Sequence, residues 1–294
     1  IQQEILMLIF KKFRIFMKVF SQNILRNTTE KFFNHLFMKV TLIQDEIFWA
    51  DKTTNLRKVG QQLEFLSGKT DLVILPEMFS TGFCTDQLNL AETMEGETIQ
   101  MLRSYALKYQ LAITGSFIAT ENGKFYNRAF FIFPTGEMVT ADKRHLFQAG
   151  GENKFFTKGN KRLQVSYCSF NICVLVCYDV RFPVWSRNVN NEYDLLIYVA
   201  NFPLKRINDW DVLLQARAIE NQTYVAGVNR IGTDGLGIEY NGHSALLDFK
   251  GRPLLAFPEN EFSIQTTELD KAPLISYRER FPVWKDADIF EIKK

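Results

Sequence analysis

Strand-like and helix-like segments alternate from Met38 onward, and this alternation restricts the fold more than any other feature of the chain. Short apolar runs at 72–75 and 172–176 have the length and composition of buried strands. Residues with helical character lie at 94–110, 181–190 and 208–222. This mixture of βαβ units and hairpins predicts an α/β layered protein with a mixed sheet.

Composition divides the chain into three parts. Residues 38–268 contain no linker rich in proline, glycine or serine and no internal repeat, so they predict a single domain. Residues 269–294 carry aromatic side chains among charges and form a C-terminal tail. That tail could pack on its own domain or reach across to a second subunit. Residues 1–37 differ from both parts.

The leader at 1–37 is basic and apolar, with six Lys/Arg against two Glu and neither glycine nor proline. Charged residues interrupt its apolar stretches, which therefore lack the centre of a signal peptide and the roughly 20 apolar residues that span a bilayer. We expect that Met38 is the true start and that the leader is a mis-assigned or unstructured extension. The alternative is a basic amphipathic helix that rests on a membrane.

Charge and cysteine usage exclude several classes of function. The net charge is +2, and the body of the chain has no basic stripe, so the sequence does not predict a nucleic-acid partner. Four cysteines without regular spacing predict neither a disulfide framework nor a zinc site, and three histidines do not suggest a metal centre. We therefore expect a cytoplasmic protein, whose thiols stay reduced, with no membrane partner.

Three polar residues follow strand-like runs and form a candidate site. Cys177 follows 172–176, Glu77 follows 72–75, and Lys143 follows a strand-like stretch that ends near Ala141. A thiol is a nucleophile that needs activation at neutral pH. A partly buried carboxylate can accept and donate its proton, and an ammonium can stabilise an oxyanion. The three groups together indicate acyl transfer from an amide.

Each of these residues also has a structural interpretation. Free cysteine is often a small buried hydrophobe, as we expect for Cys168 and Cys173. Glu77 follows Pro76 and could cap a helix, and Lys143 could be a surface lysine in a charged segment. The residues alone leave both interpretations open.

The motifs around these residues resemble the carbon–nitrogen hydrolase (nitrilase) superfamily from Met38 to about residue 268. Glu77 lies in ILPEMFSTGF, Lys143 in DKRHLFQAGGENKFFTKG and Cys177 in VCYDVRFPVWSRN. These three correspond to the catalytic trio of the family, and Glu152 in GGENKFF matches its second glutamate. The resemblance implies a four-layer αββα sandwich with mixed β-sheets, a homodimer, and no cofactor or metal.

Within the superfamily, PEMFSTGF, DKRHLF and YVANFP are similar to the bacterial omega-amidases. This likeness implies hydrolysis of the terminal amide of 2-oxoglutaramate or 2-oxosuccinamate by water, which gives a dicarboxylic oxoacid and ammonia through a cysteine thioester. One alternative is another small amide, such as an N-carbamoyl amine or deaminated glutathione. A second alternative is a non-catalytic binding protein of the same fold.

Four further residues are candidates for substrate binding. The backbone N–H of Tyr178 follows the nucleophile and is expected to assist Lys143 at the oxyanion. Arg181 is the nearest cation by sequence for the substrate's carboxylate, although it could instead form a structural ion pair, for example with Asp179. Phe202 and Phe147 are expected to supply apolar walls.

Overall fold

The structure is a computed structural model that describes residues 36–292. Its α-helices are α1 (Lys52–Leu66), α2 (Glu97–Tyr109), α3 (Ile207–Asn221) and α4 (Lys271–Arg280). The strands of its first half are β1 (Phe37–Gln44), β2 (Leu72–Ile74), β3 (Ala112–Glu121), β4 (Lys124–Ile132) and β5 (Met138–Asp142). Those of its second half are β6 (Leu163–Tyr167), β7 (Phe170–Val176), β8 (Leu195–Val199), β9 (Tyr224–Val228), β10 (Ile231–Thr233), β11 (Glu239–Asn241), β12 (Ala245–Leu247), β13 (Pro253–Ala256) and β14 (Ser263–Asp270).

Two six-stranded sheets contain most of these strands, in the orders β14-β1-β2-β3-β4-β5 and β13-β12-β9-β8-β7-β6. Parallel strands form the middle of each sheet, namely β1-β2-β3 in the first and β7-β8-β9 in the second. Antiparallel strands flank them on both sides. The predicted mixed pairing is therefore confirmed in both sheets.

The two sheets pack face to face between outer helices. In β2, Leu72 and Ile74 belong to the apolar core between the sheets, whereas Val73 packs with the helices α1 and α2. This alternation follows from the two-residue period of a strand. On the far side, α3 packs so closely on β9 that a Cβ at Gly227 would lie 2.4 Å from Leu214. The predicted αββα sandwich is confirmed.

The prediction of a helix over 181–190 is wrong. A short 3-10 helix occupies Cys177–Arg181, and turns follow it. Pro183 disfavours helical geometry at the preceding residue. Phe182 accordingly has φ −111° and ψ 89°, which ends the helix directly after the cysteine.

Strands at both ends of the predicted domain, residues 38–268, extend beyond its predicted bounds. Strand β1 begins at Phe37, one residue before the predicted domain start, and the rest of the leader, except Leu36, lies outside the described residues. The predicted tail at 269–294 begins inside β14, and α4 packs back on the same chain with Leu274 buried. No α-helix within 36–292 is both long and apolar enough to cross a membrane.

We expect that Arg278→Met lowers the free energy of unfolding by about 2 kcal/mol, because it removes three hydrogen bonds to buried oxygens while Asp194 keeps its ion pair with Lys271. Arg278 donates to Asp194 Oδ1 at 2.8 Å and to the carbonyl oxygens of Tyr193 and Gln222 at 2.8 and 2.9 Å. Urea unfolding measures the loss. Arg280→Met on the exposed side of α4 is the control, and equal stability of the two variants would contradict the assignment.

Candidate active site

Four polar side chains predicted from the sequence meet where several strands end. Glu77 lies three residues after β2, Lys143 directly after β5 and Cys177 directly after β7. Glu152 comes from the loop between β5 and β6. The side chains of Glu77, Lys143 and Glu152 have no exposed surface, and Cys177 is 9% exposed.

Lys143 lies between the two carboxylates. Its Nζ is 2.9 Å from Glu77 Oε1 and 3.0 Å from Glu152 Oε2. Asn127 on β4 joins the carboxylates from the other side, because its Nδ2 donates to Glu77 Oε1 at 2.8 Å and to Glu152 Oε1 at 3.1 Å. One cation therefore holds two carboxylates in a fixed geometry.

Burial and charge act in opposite directions on these groups. Burial lowers the pKa of Lys143, but the carboxylates of Glu152 and Glu77 outweigh it and raise that pKa above its ordinary value. Burial raises the pKa of Glu152, and the neighbouring charge of Glu77 raises it further. Lys143 and the N–H of Phe147, which donates to Glu152 Oε2 at 2.6 Å, oppose that rise. Lys143 thus stays an ammonium.

Cys177 begins the 3-10 helix in a left-handed backbone conformation with φ +44°. Such a conformation is uncommon for a residue with a side chain and often marks a functional site. Burial raises the pKa of its thiol well above the ordinary value, and Glu77 raises it further, while Lys143 lowers it. The resting thiol is therefore protonated and has a carboxylate as a neighbour.

Asn201, two residues after β8, fixes the orientation of Glu77. Its backbone N–H donates to Glu77 Oε2 at 2.8 Å, and its Nδ2 donates to the Glu77 carbonyl at 2.7 Å. Its own carbonyl oxygen lies 3.8 Å from Cys177 Sγ. Neither this role nor that of Asn127 was predicted from the sequence. The strand-end position of Asn201 in YVANFP was a usable signal.

Asp179 connects the cysteine turn to the lysine loop. Its Oδ2 accepts from the N–H of Val176 at 3.1 Å, and its Oδ1 accepts from the N–H and Nδ1 of His145 at 3.0 and 2.8 Å. The suggested ion pair of Arg181 with Asp179 is therefore wrong. Arg181 Nη2 instead lies 2.7 Å from Oδ2 of Asp209 in the first turn of α3.

A pocket opens onto Cys177 and Lys143. The predicted residues Tyr178, Arg181, Phe202 and Phe147 all line it, whereas Glu77 and Glu152 contact Lys143 without lining the pocket. Several further lining residues were not predicted from the sequence, among them Phe83, Arg206, Asp234, Leu236, Ile238 and Tyr240. No group of three or more His, Cys, Asp or Glu side chains in the described part of the chain is arranged to hold a metal ion.

Alkaline pH is expected to destabilise the fold through its buried thiols. Burial raises the pKa of Cys84 and of Cys173 from 9.0 to about 12. Because the unfolded thiols lose their protons first, their contribution is complete below pH 9 and disappears as pH rises from about 9 to about 12. Each of the two thiols is expected to lower the free energy of unfolding by about 1 kcal/mol between roughly pH 8 and pH 10.

Urea unfolding at those two pH values measures this loss. The free energy of unfolding of Cys84→Ala is expected to fall less between the two pH values, because the variant has one buried thiol fewer. An equal loss in the variant and the unmodified protein would contradict the assignment.

An αββα sandwich with a buried cysteine beside a glutamate–lysine pair is typical of enzymes that hydrolyse amides through a cysteine. Comparison with known proteins agrees with this class. Residues 39–279 match the family model of the carbon–nitrogen hydrolases. The chain is 41% identical over 256 residues to the omega-amidase YafV of Escherichia coli, which covers 87% of this chain and 98% of that protein.

Other relatives agree. The chain is 31% identical to the 2-oxoglutaramate amidase of Bacillus subtilis, over 84% of this chain and 96% of that protein. Its fold matches XC1258 of Xanthomonas campestris, a protein of the same superfamily that carries an arsenic adduct in its active site. That match has a TM-score of 0.85 and 39% identity, and covers 87% of this chain and 99% of that one. The chain belongs to the carbon–nitrogen hydrolase family.

Proposed function

We propose that this protein is an omega-amidase that hydrolyses the terminal amide of 2-oxoacid amides such as 2-oxoglutaramate and 2-oxosuccinamate. The observation that carries the proposal is the buried contact of Lys143 with Glu77 and Glu152 beside the thiol of Cys177. Similarity to an omega-amidase over most of the chain supports the choice of substrate.

Acylation begins when Cys177 Sγ attacks the amide carbonyl carbon and its proton passes to Glu77. The carbonyl oxygen becomes an oxyanion, which Lys143 Nζ and the backbone N–H of Tyr178 stabilise. Tyr178 lies in the first turn of a 3-10 helix, where N–H groups have no partner within the helix. Glu77 then gives its proton to the leaving nitrogen, the C–N bond breaks, and ammonia departs from a thioester.

Deacylation repeats these steps with water. Glu77 accepts a proton from water as its oxygen attacks the thioester carbonyl, and Glu152 helps to position that water. The C–S bond then breaks, the thiolate regains a proton from Glu77, and the dicarboxylic oxoacid leaves. Since Lys143 stays charged, Glu77 is the group of the trio that carries the proton in each half-reaction.

The pocket wall suits a short substrate with one anionic end. Phe147 and Phe202 provide apolar surface for its methylene groups, and a guanidinium is needed for its carboxylate. Arg181 was the candidate by sequence, and it is paired with Asp209. A second arginine, Arg206, lies on the same wall.

The proposal extends to a homodimer in the cytoplasm. Val212 and Ile219 lie seven residues apart on α3 and are 55% and 56% exposed, so they form one apolar face suited to a second subunit. All four cysteines are free thiols, in keeping with a reducing compartment. Light scattering of the purified protein tests the dimer.

Ammonia release from a panel of small amides tests the function. We expect 2-oxoglutaramate and 2-oxosuccinamate to give the highest kcat/KM, ahead of an N-carbamoyl amine and deaminated glutathione. A higher kcat/KM for one of the latter two would support an amidase with a substrate other than a 2-oxoacid amide. Absence of turnover on every amide by folded protein would contradict the enzymatic proposal.

A further inference from the structure

Arg206 lies on the wall of the active-site pocket, at the end of a 3-10 turn over Leu204–Arg206 that leads into α3. Its side chain is half-buried, and its guanidinium lies 5.1 Å from the ring centroid of Phe147. A cation over an aromatic face is held there by the ring quadrupole. The N–H of Phe147 is bonded to Glu152, so Arg206 rests on a ring that is fixed to the catalytic cluster.

Arg206 differs from the other cations of the pocket in its partners. Lys143, Arg181 and Arg206 are the lysine and arginine side chains that line this pocket. Lys143 lies between two carboxylates, and Arg181 is paired with Asp209. Within residues 36–292, Arg206 forms no ion pair with a carboxylate, and its side chain contacts the ring of Phe147. Its positive charge is therefore available to a ligand.

We propose that Arg206 binds the carboxylate of the substrate and selects amides that carry an anionic group at the far end. This inference rests on the proposed amidase function and names the residue that sets its substrate class. A guanidinium presents two parallel N–H donors that match a carboxylate. The half-buried position on Phe147 strengthens the interaction, because less water screens it there.

The charge pattern of the pocket also orients the substrate. Glu77 and Glu152 already lie 2.9 and 3.0 Å from Lys143 Nζ, so this ammonium is paired and is not the partner of a further carboxylate. Asp234 also lines the pocket, but its oxygens accept from the N–H groups of Leu236 and Ile238 at 2.9 and 3.0 Å and from Tyr240 Oη at 3.0 Å. The carboxylate is thus directed to Arg206 and the amide to the thiol.

Arg206→Met tests the proposal, with Lys205→Met as a control that removes one exposed charge from the neighbouring residue. Glutaramate and pentanamide serve as substrates, because they differ by a carboxylate in place of a methyl group. Arg206→Met is expected to lower the ratio of their kcat/KM values by about 30-fold. Lys205→Met is expected to keep the ratio of the unmodified protein, and Arg206→Lys to restore part of it.

Calorimetric binding of 2-oxoglutarate provides a readout that does not depend on turnover. Its Kd is expected to rise by about 30-fold in Arg206→Met and to stay unchanged in Lys205→Met. An unchanged Kd and an unchanged ratio in Arg206→Met would overturn the proposal, as would a loss confined to Arg181→Met. A different result would count against the omega-amidase assignment itself: unmodified protein that binds 2-oxoglutarate but does not hydrolyse 2-oxoglutaramate.

Discussion

Cys177→Ala is expected to lower kcat for ammonia release by at least about 10⁴-fold, because it removes the atom that forms the thioester. Cys177 is placed directly after β7 in a left-handed conformation, with Glu77 as the neighbouring proton acceptor. No other thiol lines the pocket within the described residues, so none is placed to replace it. Steady-state ammonia release at saturating substrate measures the loss.

Two comparisons separate loss of the nucleophile from loss of the fold. Cys168→Ala removes a half-buried thiol in the turn between β6 and β7 and is expected to keep full activity. The circular dichroism spectrum and melting temperature of Cys177→Ala should match those of the unmodified protein, because the substitution removes only the Sγ atom and its hydrogen. Activity within tenfold of the unmodified protein would contradict a thioester mechanism.

Lys143→Met is expected to damage both stability and activity. It leaves Glu77 and Glu152 buried together without a cation, which costs about 3–5 kcal/mol of unfolding free energy. It also removes an oxyanion donor, and that loss lowers kcat by about 10²–10³-fold. Urea unfolding and initial rates measure the two effects on the same preparation.

A double variant tests whether charge is the cause of the instability. In Lys143→Met with Glu152→Gln, only one uncompensated carboxylate stays in the cluster, so the double variant is expected to be more stable than Lys143→Met alone. Its activity should stay low, because the oxyanion donor is still missing. A double variant less stable than Lys143→Met would show that packing, rather than charge, holds this cluster.

The sequence predicted the parts of the site that follow strands. Glu77 and Cys177 follow the short apolar runs that form β2 and β7, and these strands lie in the middle of two sheets that face each other. The family resemblance then added Glu152, which no strand positions. The αββα layers followed from the same resemblance and are confirmed in the structure.

Features that depend on contacts between distant segments were not predictable in this way. Arg206 lines the pocket from a 3-10 turn and Tyr240 from β11, and nothing local in either segment indicates that they lie on the pocket wall. The pairing of Arg181 with Asp209 depends on where α3 begins relative to the cysteine turn. The false helix at 181–190 shows how Pro183 and the tight turn after Cys177 override local propensity.

Rapid-quench mass spectrometry of the protein with 2-oxoglutaramate tests whether a thioester forms on Cys177. We expect a transient acyl group on the peptide that contains Cys177, formed together with ammonia and lost as the oxoacid appears. Cys177→Ala should show neither the adduct nor ammonia. Ammonia release by the unmodified protein without any adduct on Cys177, or with an adduct on another residue, would rule out the thioester mechanism at Cys177.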